Sequence, residues 1–168
     1  FMNTLVAPKR MTAEELQAIP DDGIDRWLIN GELREGGLTI HNYKHSRSMR
    51  RFSRILLNWL VTQPQPRGDV VDGEAGFRLR TDPATVVGTD VAYIGPDLAD
   101  AHADAEGIVN GVPILVVEIL SPSDEHADVA EKTETYLDCG VKLVWIVDPY
   151  FETVTVYAPD RGPVLFNA

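Results

Sequence analysis

Apolar side chains recur along this chain at two spacings, each typical of one kind of element. Between residues 44 and 61 they return every three or four positions, which predicts an amphipathic helix. Elsewhere they alternate or run together, which predicts strands. The predicted strands cover residues 70–80, 86–94, 114–120, 143–147 and 153–158.

Polar and glycine residues mark a short helix and a hairpin in the N-terminal part. Thr12 and Glu15 have the spacing of a capping box, which predicts a short helix after Thr12. Asn30 and Gly31 suit a type I′ turn, so residues 27–35 are predicted to form a hairpin around them.

The second half of the chain adds a loop region and one more helix. Residues 95–113 are rich in Asp, Ala, Gly and Pro, which predicts a surface excursion with a short helix. Ser123 or Asp124 is the expected N-cap of a helix that runs to about Cys139 and ends at Gly140. This order of elements predicts an α/β fold, a mixed sheet flanked by helices after an N-terminal helix and hairpin.

Length and composition favour one compact unit. With 168 residues, 44% of them hydrophobic, the chain is predicted to be a single domain over residues 1–168. Residues 1–10 are expected to be flexible or partly added by cloning, and the native C-terminus is expected to extend further. One cysteine and no secretion-signal pattern favour a cytoplasmic protein. The apolar runs fall short of the roughly 20 residues that cross a bilayer, so no membrane partner is expected.

Two carboxylates lie inside apolar strands, and they carry the first chemical prediction. Asp90 interrupts residues 86–94, and Glu118 interrupts residues 114–120. An unpaired buried carboxylate costs several kcal/mol or loses its charge, so a cation is expected beside them. Strands that follow one another in sequence are usually neighbours, so both carboxylates are predicted to bind one Mg²⁺ or Mn²⁺ ion.

Lys132 lies on the helix after Glu118, and its first turns can bring the ammonium group back over the strand end. There it would orient a water molecule or stabilise charge on a phosphate. Plainer interpretations stay open for all three residues. Glu118 can instead form an ion pair with Arg78, Arg80 or Lys132, and Asp90 can be a solvated turn residue. Lys132 can form a surface pair with Asp128.

The charge distribution is uneven. The formal net charge is −11, which argues against coating nucleic acid by bulk electrostatics. Five of the fifteen basic residues nevertheless fall within eleven positions, and four of them share one face of the predicted helix. These four are Arg47, Arg50, Arg51 and Arg54, and the fifth is Lys44. We call the four the arginine stripe and predict that it contacts DNA phosphates, the alternative being a solvated face or a subunit contact.

Several motifs together resemble a known family. They are Asn30-Gly31-Glu32-Leu33, His45 at the start of the long helix, Gly88-Thr89-Asp90-Val91-Ala92-Tyr93-Ile94, Val116-Val117-Glu118-Ile119-Leu120-Ser121-Pro122-Ser123, Glu131-Lys132 with Tyr136, Gly140-Val141, and Val144-Trp145-Ile146-Val147-Asp148-Pro149. In this order, over residues 11–158, they resemble the Uma-type restriction endonucleases of the PD-(D/E)xK nuclease superfamily. The resemblance implies a restriction-endonuclease-like fold, a DNA substrate, a divalent metal, no small-molecule cofactor and a homodimer.

Position by position, the resemblance implies that Asp90 and Glu118 bind the metal and that Lys132 is the catalytic lysine. It adds Glu32 as a further catalytic carboxylate and His45 as an active-site candidate that could also contact nucleic acid. Glu32 can equally be solvated, and His45 can simply cap the helix or lie on the surface. Two positions depart from the superfamily pattern: Thr89 replaces a proline, and Leu120 stands where a lysine is usual.

The function expected from these residues is metal-dependent hydrolysis of DNA phosphodiester bonds by an endonuclease. One alternative is an inactive nuclease fold that binds DNA or a protein partner, which the two departures and the acidic charge favour. Another is a hydrolase that acts on a different phosphoester. Sequence preference and biological role do not follow from the residues.

Overall fold

The computed structural model describes residues 10–38 and 40–167. The expectation for residues 1–10 therefore concerns a segment that, Arg10 apart, lies outside the described residues. The helices are α1 (Ala13–Gln17), α2 (Tyr43–Leu60), α3 (Pro96–Ala101) and α4 (His126–Asp138). The strands are β1 (Ile24–Ile29), β2 (Glu32–Leu38), β3 (Asp69–Arg80), β4 (Thr85–Ile94), β5 (Val109–Asn110), β6 (Leu115–Ile119), β7 (Leu143–Asp148), β8 (Thr153–Ala158) and β9 (Arg161–Asn167).

The strands form one mixed sheet, as the sequence predicts. The order is β2-β1-β4-β6-β7-β8-β9, while β3 lies along the other edge of β4 and carries β5. Among the strands of the described residues, the pairs β6 with β7 and β3 with β5 are parallel and the other pairs are antiparallel. Helices flank the sheet, so the predicted fold class is confirmed. No helix in the described ranges is long and apolar enough to cross a membrane.

The sheet is packed on both faces. One core cluster brings Phe77, Val116 and Val144 together with Tyr136 of α4. A second cluster places Val91 and Val117 against Leu56 of α2. Because side chains alternate between the faces of a strand, Val116 and Val117 separate into these two clusters.

Local sequence explains where several elements begin. Thr12 and Glu15 form the capping box of α1, and Asn30 (φ 53°) and Gly31 (φ 80°) form the hairpin turn between β1 and β2. The predicted N-cap of α4 is wrong. Glu125 occupies that position, and Asp124 instead accepts hydrogen bonds from the backbone and hydroxyl of Ser121.

The register of β4 against β6 positions the two buried carboxylates. Val91 pairs with Val117 and Ala92 with Val116 in antiparallel register. Continuing this register by one residue places Asp90 opposite Glu118 on the neighbouring strand. Directly opposed residues share a face of the sheet, so both side chains point to the side that α4 covers.

Candidate active site

Asp90 lies deep in the sheet and is only 3% exposed. Its Oδ2 accepts a 2.7 Å hydrogen bond from the backbone N–H of Ile119 in β6. Its Oδ1 lies 3.2 Å from Nε2 of His45, an ion pair when the ring is protonated, and otherwise has no hydrogen-bond donor among the described residues. Burial raises the pKa of Asp90, yet His45 and the Ile119 N–H outweigh burial and lower it below its usual value.

Glu118 is held by two side chains of α4. Lys132 Nζ donates a 3.1 Å hydrogen bond to Oε2, and the Tyr136 hydroxyl donates to Oε1. Burial raises the pKa of Glu118 to about 7, and the charge of Asp90 adds to this while Lys132 opposes it. The pKa of Lys132 is raised because attraction to Glu118 and other carboxylates outweighs the effect of burial. Glu118 and Lys132 therefore form the ion pair that was the alternative interpretation of Glu118, and the metal-binding role of Glu118 stays a prediction.

Glu74 is a third carboxylate at this site, and the sequence analysis missed it. It lies in β3 with φ 60°, in the irregular stretch between Asp72 and Ala75. A Cβ atom at Gly88 would lie 2.9 Å from Glu74 Oε2, so the glycine leaves room for this carboxylate. Burial and the charges of Asp90 and Glu118 raise the pKa of Glu74 to about 8. The signal in the sequence was a glycine, Gly73, inside a strand pattern, which often marks a bulge.

Two histidines close the site at the start of α2. The rings of His41 and His45 stack with centroids 4.0 Å apart and planes 7° from parallel. His41 Nε2 lies 3.0 Å from Glu74 Oε1, and the backbone N–H of His45 is capped by the Asn42 side chain. Burial and the neighbouring His45 lower the pKa of His41. Burial also lowers that of His45, but Asp90 outweighs burial and raises it overall.

These side chains line one cavity of about 360 Å³. The predicted residues that the structure brings together there are Asp90, Glu118, Lys132 and His45, and Glu74 and His41 join them. Leu120 brings no ammonium group to the cleft, whereas Lys132 reaches Glu118 from α4. Asp90, Glu118 and Glu74 thus share a partly closed cleft with Lys132 and two histidines.

Glu32 does not join this group in the structure. Its side chain is 55% exposed at the start of β2 and forms a 3.1 Å ion pair with Arg34. Arg34 also contacts Glu131 of α4, with N–O distances of 2.8 and 3.0 Å. The catalytic role of Glu32 stays a prediction.

The arginine stripe lies on the outer surface of α2. Arg47, Arg50, Arg51 and Arg54 are all exposed, while Leu56 and Leu60 of the same helix are buried. Arg50 and Arg54 line a shallow depression together with Asp72 of β3. Helix α2 therefore carries both the arginine stripe, on its outer surface, and His45, which lines the cleft, in its first turn.

The donor set fits a divalent cation. Asp90 Oδ1 is a buried acceptor without a hydrogen-bond donor among the described residues, and leaving such a group unsatisfied is costly. Burial, with a further contribution from the charge of Asp90, raises the pKa values of Glu74 and Glu118, so several carboxylates compete for cations here. Oxygen ligands of this kind are those that Mg²⁺ and Mn²⁺ bind.

A mixed sheet that presents two strand carboxylates and a helix lysine to one cleft has the architecture of the restriction-endonuclease-like nucleases. The fold is similar to that in the crystal structure of "a putative nuclease belonging to DUF820" from Anabaena variabilis ATCC 29413. The TM-score is 0.75 at 21% identity, over 94% of this chain and 85% of that one. The chain belongs to the Uma2 family, described as "Putative restriction endonuclease", whose model matches residues 13–165. No curated protein matches the sequence.

Proposed function

We propose that this protein is a metal-dependent endonuclease that hydrolyses phosphodiester bonds of DNA. The observation that carries the proposal is the opposition of Asp90 and Glu118 across β4 and β6, with Lys132 3.1 Å from Glu118. Family membership supports the nuclease activity. The orphaned Oδ1 of Asp90 supports the metal dependence.

Asp90 and Glu118 would hold Mg²⁺ or Mn²⁺. When bound, such an ion lowers the pKa of a water molecule and neutralises charge on a phosphate. Glu118 is ready to bind because Lys132 and Tyr136 fix both of its oxygens in place.

Lys132 contributes a positive charge inside the cleft. Its pKa is raised, so it stays protonated at neutral pH, and only 18% of its side chain is exposed. A fixed cation in a partly closed site stabilises negative charge that develops on a phosphate more strongly than it would in water. Lys132 is therefore proposed to position the water and stabilise the transition state.

The arginine stripe is proposed to contact the DNA backbone beside the cleft. Guanidinium groups bind phosphates with two parallel hydrogen bonds, and all four side chains are exposed. A homodimer, expected from the family resemblance, would present two clefts to the two strands of a duplex.

Nicking of supercoiled plasmid DNA in Mg²⁺ or Mn²⁺ tests the proposal. Glu118→Ala should lower the rate at least about 100-fold, because it removes a metal ligand and the partner of Lys132. Glu134→Ala is the control, since Glu134 is an exposed glutamate of α4, the helix that carries Lys132. Cleavage by Glu118→Ala at the wild-type rate would refute the mechanism. If the protein bound DNA without metal and cleaved it in no metal, the alternative of an inactive nuclease fold that binds DNA would be favoured.

A further inference from the structure

We propose that the protein binds DNA with an unpaired strand beside the cleft, and that bases of this strand stack on Tyr43, Tyr150 and Phe151. We call these three residues the aromatic platform. The proposal deepens the proposed function, because it names the form of DNA that the cleft takes, and it rests on that function.

The rings of the platform are exposed together, at the start of α2 and at the turn between β7 and β8. Tyr43 is 81% exposed, Phe151 80% and Tyr150 43%. Two contacts join the segments: Asn42 Nδ2 donates a 3.2 Å hydrogen bond to the Tyr150 hydroxyl, and Lys44 Nζ lies 4.5 Å from the centre of the Tyr150 ring. Exposed apolar groups gathered in one place commonly mark a binding surface.

The turn between β7 and β8 is fixed although its rings are exposed. The backbone N–H groups of Tyr150 and Phe151 donate hydrogen bonds of 2.8 and 3.0 Å to Asp148 Oδ1. Glu152 completes the turn in the left-handed region, with φ 55°. Because the backbone is already ordered, Phe151 loses little conformational freedom when a ligand covers its ring.

Tyr43 stands in line with three residues of the arginine stripe. On α2 it is followed by Arg47, Arg50 and Arg54 at spacings of four, three and four residues. These spacings keep side chains on one face of a helix. Every charged side chain of α2 is basic, whereas the whole chain has a net charge of −11, so this face is the one that suits a polyanion.

The platform adjoins the cleft. His41, two residues before Tyr43, and His45, two residues after it, both line the cavity. Asn42 connects the two surfaces, since its side chain caps α2 at the His45 N–H and also holds Tyr150. A strand whose phosphate lies in the cleft would therefore have its neighbouring bases beside the rings.

The chemistry of the platform selects unpaired bases. Inside a duplex each base is stacked on its neighbours, so its faces are closed to protein side chains. An unpaired base offers a whole face to an aromatic ring, and this stacking tolerates any base. A basic track that leads to exposed aromatic rings is the combination with which proteins bind single strands.

Fluorescence anisotropy in a chelator compares a fully paired duplex with the same duplex carrying an unpaired tail. Wild type should bind the tailed duplex at least about tenfold more tightly. Tyr43→Ala and Phe151→Ala should each weaken binding of the tailed duplex about 5- to 150-fold and leave binding of the paired duplex unchanged. Phe151→Trp keeps a ring and should bind like wild type.

Trp59→Ala is the control, because Trp59 is 42% exposed near the other end of α2, and it should bind both DNAs like wild type. Equal affinity of wild type for the two DNAs, or unchanged binding of the tailed duplex by both platform alanine variants, would overturn the proposal. Dissociation of a dimer by these variants with unaltered DNA binding would assign the rings to a subunit contact instead.

A 2-aminopurine base in the tail reports stacking in the wild-type protein and keeps the test independent of how the variants fold. Its fluorescence should fall when the protein binds, and an unchanged signal in the bound state would overturn the proposal. Neither measurement needs cleavage, so tail-dependent binding without cleavage in any metal would count against the nuclease and not against the platform. Cleavage of DNA with no preference for the tail would have the opposite meaning.

Discussion

The ammonium group of Lys132 lies in the cleft beside Glu118, and a substitution can remove its charge. Lys132→Met keeps the aliphatic length and should lower the rate of DNA cleavage about 10²- to 10³-fold, the usual loss when one electrostatic contact to the transition state is removed. Plasmid nicking under single-turnover conditions measures this. Lys142→Met, at an exposed lysine, is the control. An unchanged rate would show that Lys132 is only the ion-pair partner of Glu118.

The hydroxyl of Tyr136 is the second donor to Glu118, and it also lies 3.3 Å from the carbonyl oxygen of Gly88. Tyr136 is fully buried, so Tyr136→Phe leaves buried acceptors without this donor. We expect the free energy of unfolding to fall by about 1–3 kcal/mol. Urea denaturation measures the change, and Tyr157→Phe on the partly buried β8 is the comparison. Equal losses in both variants would show that the contact to Glu118 has no special weight.

At the scale of elements, the predictions succeeded where side chains alternate between core and solvent. The helix pattern at residues 44–61 became α2, and the Asn30-Gly31 turn became the hairpin of β1 and β2. Strand β9 was missed because all seven of its residues are exposed, so no buried face marks it. Strand β5 was missed because it has only two residues, too few for any period.

The sequence predicted only part of the candidate site, because it marks a polar residue only where the neighbouring residues make that residue unusual. Asp90 and Glu118 stood out because apolar neighbours made their charge anomalous in the sequence. Glu74 lies beside Gly73 in a polar stretch, and only the bulge of β3 brings it to Asp90. His41 precedes α2 in a loop, where sequence gives no measure of distance to a strand.

The exposed face of α2 gives an element-scale prediction about DNA. Replacing all four residues of the arginine stripe with alanine should weaken duplex binding and lower the slope of log K against log salt. Each lost phosphate contact should reduce the slope by about 0.9. Fluorescence anisotropy of a labelled duplex at several salt concentrations measures both effects. Arg161→Ala, on the exposed strand β9, should leave the slope unchanged. An unchanged slope in the fourfold variant would assign the stripe to solvent or to a subunit contact.

For the whole molecule, the buried charges of the cleft link stability to pH. The pKa of Glu118 is raised to about 7 and that of Glu74 to about 8, so the folded metal-free protein holds protons that the unfolded chain releases above about 4.5. Stability from these groups is therefore present at acid pH and lost as the pH rises through 7 and 8. His45, whose pKa is also raised, acts in the same direction, and His41, whose pKa is lowered, opposes it.

The metal-free protein should consequently melt at a higher temperature at pH 5.5 than at pH 8, measured by calorimetry in a chelator. Adding Mn²⁺ should raise Tm more at pH 8 than at pH 5.5, because the cation binds the deprotonated carboxylates and protons compete with it. Glu74→Gln removes one of the titrating groups, so it should shrink the Tm difference between the two pH values, whereas Glu134→Gln on the surface should not. A Tm that rose steadily from pH 5.5 to 8 without metal would show that the carboxylates of the cleft ionise without a loss of stability. The electrostatic argument for a cation there would then fail.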